Sequence, residues 1–180
     1  RDRTEVMRET CRLATSAGGY SAAIAVGKVA GAGLMQPMAW AGDDTRMTDD
    51  LRAYIASSTA REDSLLGTVI ATGHEFVCNN TVAMHSTGAL DALMVNAGVR
   101  SVVALPLVVD GVTVGLLVLA ARDSEVVGDE ELGMLREVAG SLSFGLKYLQ
   151  RDTKARFLSH FDPNTGLAKR PLFSERVQRL

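Results

Sequence analysis

The sequence predicts an α+β protein, an antiparallel sheet of about five or six strands sandwiched by helices. Three observations carry this. Two apolar runs, "SVVALPLVV" and "VTVGLLVLAA", are separated only by Asp110-Gly111, the sequence form of a β-hairpin with a type I′ turn. The strand-like segments are bunched, with an adjacent hairpin, rather than alternating with helices, which favours an antiparallel layer over a wound parallel sheet. Helical patterns stand at both ends, at 3–17 and 128–150. The two terminal helices are expected to pack together.

The elements follow in order. Over 3–17, Val6, Thr10, Leu13 and Ala17 recur at three or four residues with charges between them, a helical stripe, and Gly18-Gly19 stops it. "YSAAIAVGK" reads as a strand of small and β-branched residues, and "GLMQPMAWAG" as a second after a turn at 31–33. Pro37 makes that second strand an edge or bulged one. Residues 43–60 turn polar, with Leu51, Tyr54 and Ile55 marking a short amphipathic helix after the cap candidate Thr48. "SLLGTVIAT" gives another helix ended by Gly73, "EFVCNN" a short strand, 81–88 a loop, and 89–97 a helix closed by Gly98. The hairpin strands are apolar on both faces and should be central. The last helix starts on Asp129, Glu130 and Glu131, which suit its dipole. Leu132, Leu135, Ala139, Leu142, Leu146 and Leu149 form a heptad seam along it. A second stripe runs through Met134, Val138, Ser141, Gly145 and Tyr148, so one stripe can face the sheet and the other a partner chain.

Composition excludes several classes. At 47% hydrophobic residues the chain can build a core. A net charge of −2 offers no basic face, so nucleic acid is not the expected partner. Pro106 and Asp110-Gly111 break the most apolar stretch, 101–121, so it does not read as a spanning helix and no membrane contact is expected. Cys11 and Cys78 lack the spacing of a zinc site or a disulfide framework and read as buried thiols in a reducing, cytoplasmic setting. The first residue is Arg1 rather than Met, which suggests a piece of a longer protein. No GxSxG, HExxH, Walker or dinucleotide-binding motif is present.

The stretch "AGVRSVVALPLVVDGVTVGLLVLAARDSEVVGDEELGMLREVAGSLSFGL" resembles the C-terminal half of a GAF domain. The features that carry the likeness are Gly98 and Ser101 ahead of the first hairpin strand, Pro106-Leu107, the "G-x-L-x-L" strand at Gly115, and Glu130-Glu131. Upstream, "ATGHEFVCNN" resembles that family's "tGxPhhhxD" segment, with Glu75 where Pro is common and Asn80 where Asp is common. The resemblance spans 4–149 and implies a GAF/PAS-like fold and a sensory role. Residues 162–180 in turn resemble the start of a GGDEF domain, "D-x-L-T-G-L-x-N-R-x-x-F", through Asp162, Thr165, Gly166, Leu167, Arg170 and Phe173. Asn164 and Lys169 depart from that pattern. The organisation implied is a GAF sensor over 1–150, a signalling linker over 151–161, and the beginning of a GGDEF domain over 162–180. The output is then a diguanylate cyclase, or a cyclic di-GMP phosphodiesterase after a degenerate GGDEF copy.

The resemblance places a ligand cavity near "TVAMHSTGAL". Candidate ligand-binding residues are Trp40, Phe76, Asn79, Met84, His85 and Leu90, an apolar cup with a few polar groups. The cofactor is left open. A lone His85 could contact haem or a small molecule but reads more readily as a surface or hydrogen-bonded loop histidine, and Cys78 without a following His weighs against bilin; the cyclic-nucleotide signature is missing. Cys11 and Cys78 do not resemble the cysteines of GAF-fold methionine sulfoxide reductases. No catalytic or metal residue is expected in this chain. The regulatory expectation is that a small ligand, or a dimer rearrangement, biases two packings of the last helix. Its heptad seam (Leu132, Leu135, Ala139, Leu142, Leu146, Leu149) is expected to serve dimerisation and signalling in a homodimer through the terminal helices. The alternative is a ligand-free dimerisation module.

Overall fold

The computed structural model describes residues 2–28, 35–58, 64–83 and 95–160, of which 57–58 and 152–160 are described by their backbone. These residues form helices α1 (Arg3–Ser16), α2 (Thr45–Ser58), α3 (Leu65–Thr72) and α4 (Asp129–His160), and strands β1 (Ala22–Lys28), β2 (Met35–Gly42), β3 (Phe76–Cys78), β4 (Ser101–Val109) and β5 (Val112–Ala121). The chain divides into two compact units, Arg1–Phe144 and Gly145–Leu180. The first holds the sheet, α1 to α3 and the first half of α4; the described part of the second is the remainder of α4.

The five strands lie in the order β2-β1-β5-β4-β3, and every neighbouring pair is antiparallel. The α+β expectation therefore holds, and the hairpin strands are central as their two-sided apolar pattern requires. Asp110 and Gly111 both take positive φ, 51° and 78°, as a type I′ turn demands. β2 is an edge strand. Ala25 pairs with Ala39 and Val26 with Pro37, so Met38 is an extra, bulged residue beside the proline. Bulge and proline together blunt an edge that would otherwise pair with another strand.

The period of two sorts the sheet into two faces. Ile24, Val26, Val102, Ala104, Leu116, Val118 and Ala120 share one face with Met47, Leu51 and Ile55 of α2 and Leu66 and Val69 of α3 in a continuous core. On the other face, Leu117 and Leu119 meet Leu135 and Leu142 of α4 and line a groove shared with α1. Helices thus cover both sides.

Several boundaries differ from expectation for physical reasons. α2 is capped by Asp44, whose Oδ1 accepts from the Met47 N–H at 3.1 Å; Thr48 lies one turn in, is buried, and its hydroxyl donates to the Asp44 carbonyl at 2.8 Å. α1 buries Met7 and Cys11, one residue round from the predicted stripe, because the sheet lies beneath that side. Val6, Thr10, Leu13 and Ala17 instead border the groove, and Leu13 stays 49% exposed. α4 runs 32 residues, ten beyond the predicted stop at Gln150. Residues 151–160 hold no Gly or Pro, and the first breaker is Pro163. The predicted turn at 31–33 and most of the helix at 89–97 lie outside the described residues.

Candidate functional site

The α2/α3 face is built from the sheet upward. Cross-strand partners put Trp40, Ile24, Val118, Ala104 and Phe76 in one row across all five strands. Trp40 stands at the β2 edge and Phe76 at the β3 edge, four strand spacings or about 19 Å apart. The two predicted aromatics therefore share a face without meeting. Trp40 is 41% exposed, with the Arg52 guanidinium 3.4 Å above its ring centre, a cation–π stack that seats α2 on β2. Phe76 packs on the core cluster beside α3.

Asn79 is committed to the protein's own backbone. Its Nδ2 donates to the Val127 carbonyl at 2.7 Å and its Oδ1 accepts from the Val127 N–H at 3.0 Å. Met84, His85 and Leu90 lie outside the described residues. The two ends of their stretch are joined at Thr81, whose N–H donates to the Arg100 carbonyl at 2.9 Å and whose hydroxyl donates to that of Val99 at 2.6 Å. His74, which follows the left-handed Gly73 cap, is exposed.

A polar pocket of about 340 Å³ opens at the end of this face, where the start of α2 meets the chain returning at 96–98. Asp44, Arg46, Asp50, Asn96 and Arg122 line it, with Met47 and Ala97 of the core cluster beneath. Arg122 and Asp44 form an ion pair at 2.7 Å. The Met47 N–H, and after it Arg122, hold the Asp44 carboxyl below the usual carboxylate range. Arg46 and Asp50 add a further charge of each sign to its lining. The pocket thus presents both charge signs and an amide over an apolar base, suited to a small polar molecule with donor and acceptor groups. Sequence reading missed these residues; Asp44 as a helix cap was the only local signal.

The opposite face carries a larger groove, about 850 Å³, between α1 and α4. Its floor is Leu117, Leu119, Leu135 and Leu142, and the Tyr20 hydroxyl donates to Glu131 Oε1 at 2.8 Å at one end. Burial, then Glu131, pushes the Tyr20 hydroxyl pKa up. Of the predicted seam, Leu135, Ala139 and Leu142 are buried and Leu132 half-buried; Leu146 and Leu149 belong to the second unit. Met134, Val138 and Phe144 are exposed.

Cys11 lies beneath α1, fully buried, with its thiol directed at the Ala39 carbonyl at 3.7 Å. Burial pushes its pKa up to about 12, so it holds essentially no thiolate at neutral pH. We expect thiol labelling of the native protein to leave Cys11 unmodified and to reach it only on global unfolding. Mass-resolved labelling across a urea series checks this, and fast native labelling of Cys11 would contradict the packing described. Among the described residues no cluster of His, Cys, Asp or Glu is arranged to hold a metal ion, and no helix is long and apolar enough to cross a membrane.

The described residues thus form a five-stranded antiparallel sheet between two helix pairs, with a polar pocket at the end of one face. The GAF domain model matches residues 1–147, and the chain belongs to the GAF family. GAF domains are generally non-catalytic regulatory domains that sense small molecules in bacterial signalling proteins. The structure is similar to the blue-light absorbing form of the Thermosynechococcus elongatus PixJ GAF-domain, at 16% identity over 90% of this chain and 96% of that one, with a TM-score of 0.68. It is also similar to the GAF domain/HD domain protein of Geobacter sulfurreducens, at 17% identity over 83% and 94%, TM-score 0.61. A third likeness is to the type II free methionine-R-sulfoxide reductase of Thermoplasma acidophilum, at 14% identity over 79% and 93%, TM-score 0.57. At these identities the likenesses speak to the fold alone. No curated protein matches the chain.

Proposed function

We propose that this chain is a cytoplasmic small-molecule sensor that controls a cyclic di-GMP output domain, a diguanylate cyclase or phosphodiesterase. The observation that carries the reading is α4. It begins on the sheet of a GAF domain and ends at His160, two residues before Asp162, where the GGDEF-like sequence starts. The ligand belongs on the α2/α3 side, at the polar pocket of Asp44, Arg46, Asp50, Asn96 and Arg122, with Trp40 and Phe76 as further candidates on that side; Met84, His85 and Leu90, candidates from the sequence, lie outside the described residues. Asn79 supports that side through the backbone. The reading includes a homodimer through α1 and α4, which the exposed Leu13, Met134, Val138 and Phe144 support.

Native mass spectrometry of the purified chain, followed by denaturation, tests both parts. The expected result is a dimer that releases a small molecule. A bare dimer, bound by nothing from a metabolite panel, would replace the sensor with a ligand-free dimerisation module. A fragment containing the output segment should then change cyclic di-GMP turnover on ligand addition, and unchanged turnover would remove the output assignment.

A further inference from the structure

We infer that β3 is a strap that couples the α2/α3 side of the sheet to the start of α4, with Asn79 and the Glu75–Arg136 pair as its two attachment points. The inference rests on the reading above only in taking that side as the ligand side and α4 as the output helix. β3 is an edge strand held to the sheet by three residue pairs with β4. Such a strand is the least anchored in the sheet and the cheapest to displace. Both of its ends are nevertheless tied to the opposite layer. Ahead of it, Glu75 Oε1 accepts from Arg136 Nε at 3.0 Å and also from Arg136 Nη2. That pairing, above all, holds the Glu75 carboxyl below its usual range. Behind it, Asn79 bonds Val127 in both directions, as a neighbouring strand residue would, two positions before α4 begins.

The loop between β5 and α4 is shaped by the same contacts. The Asn79 carbonyl accepts from the Glu125 N–H at 2.9 Å and lies 3.1 Å from the Ser101 hydroxyl, itself 2.8 Å from the Asp123 carbonyl. Glu125 sits at φ +59°, a backbone state that a non-glycine residue rarely chooses for itself. The loop is therefore held in place by β3 rather than by its own preference. On the other side, α3 ends at Gly73, two residues before Glu75, and Leu66 and Val69 of α3 share the core with Phe76 and Cys78 of β3. A shift of α3 thus displaces β3, and β3 moves Val127 and Arg136. This gives a contiguous path around the sheet edge between helices on opposite faces, and it makes Asn79 a positioning residue.

Hydrogen exchange on the 180-residue chain tests the coupling without any ligand. Val69→Ala, and in parallel the milder Ile70→Val, loosen α3 from a distance. Either is expected to speed amide exchange at 132–137 about tenfold relative to the β5 amides 118–120. In an Asn79→Ala, Arg136→Gln background, or with exposed Arg136→Gln alone, that relative increment is expected to fall to about twofold or less. The strap is overturned if the 132–137 amides move only in step with β5, or if the remote effect survives with the attachments removed. A chain that binds no ligand but shows the coupling keeps the strap and loses the sensor; a ligand without coupling does the reverse.

Discussion

Replacing Gly115 with alanine is expected to destabilise the fold by about 3 kcal/mol. Gly115 is buried in β5, opposite Gly27 of β1 and Leu107 of β4. A Cβ there would lie 2.4 Å from the Val26 carbonyl oxygen and 3.3 Å from Leu107 Cδ1. The first neighbour is backbone within the central pair of strands, so the ladder must shift to admit a methyl group, and the leucine gives little room on the other side. Gly27 provides the internal contrast. Its added Cβ would come 2.8 Å from Arg3 Nη2, the far end of a flexible side chain, so Gly27→Ala is expected to cost about 1 kcal/mol. The two glycines face each other and leave the sheet bare where Arg3 crosses it to donate to the Val114 carbonyl at 3.2 Å. Thermal unfolding should show Gly115→Ala melting roughly 6–12 °C lower, at 2–4 °C per kcal/mol for a domain of this size. A Gly115→Ala protein within about 1 kcal/mol of the parent would mean that β1 and β5 do not approach as described.

What was legible in the sequence was local. Asp110-Gly111 between two apolar runs specified the hairpin, its turn type and its central place, because a tight turn and two-sided burial are written in consecutive residues. Pro37 marked the edge strand for the same reason. The face of α1 was misplaced by one position because Thr10 and Ala17 suit a core and a groove margin equally, and only the sheet beneath selects Met7 and Cys11. The order of β1 beside β5 joins residues about a hundred positions apart, which no periodicity encodes.

The candidate site suffered most from that limit. Trp40 and Phe76 were grouped as lining residues of one cup, and the ladder places them at opposite edges of one face. Asn79 was expected to contact a ligand; its side chain instead bonds Val127 in both directions, a partner 48 positions away. Asp44 and Arg122 of the polar pocket are 78 apart. A pocket assembled from such distances becomes visible only when the strand order is known.

The second large effect is expected at Leu51, and it bears on that pocket. α2 is fixed to the sheet by Met47, Leu51 and Ile55, spaced four apart and each almost completely buried. Leu51→Ala removes the middle anchor and leaves a cavity in the core shared by α2, α3 and the sheet, a loss of about 3 kcal/mol. Leu51→Asp, which would bury an unpaired carboxylate, should exceed about 4 kcal/mol. Exposed Ala53, two positions on, is the control, and Ala53→Asp should stay within about 0.5 kcal/mol. The chain carries its own reporter, because its single tryptophan, Trp40, lies under Arg52 of the same helix. If α2 belongs to the cooperative core, tryptophan fluorescence and far-UV circular dichroism will give one coincident urea transition in Leu51→Ala, shifted to lower urea. If fluorescence changes first, α2 peels from β2 before the sheet unfolds. The roof of the α2/α3 face would then be a separate, weaker unit, and Asp44 would be released with it. A ligand held by the start of α2 gains most from the first case, since only a roof that is part of the core can return binding energy to the whole fold.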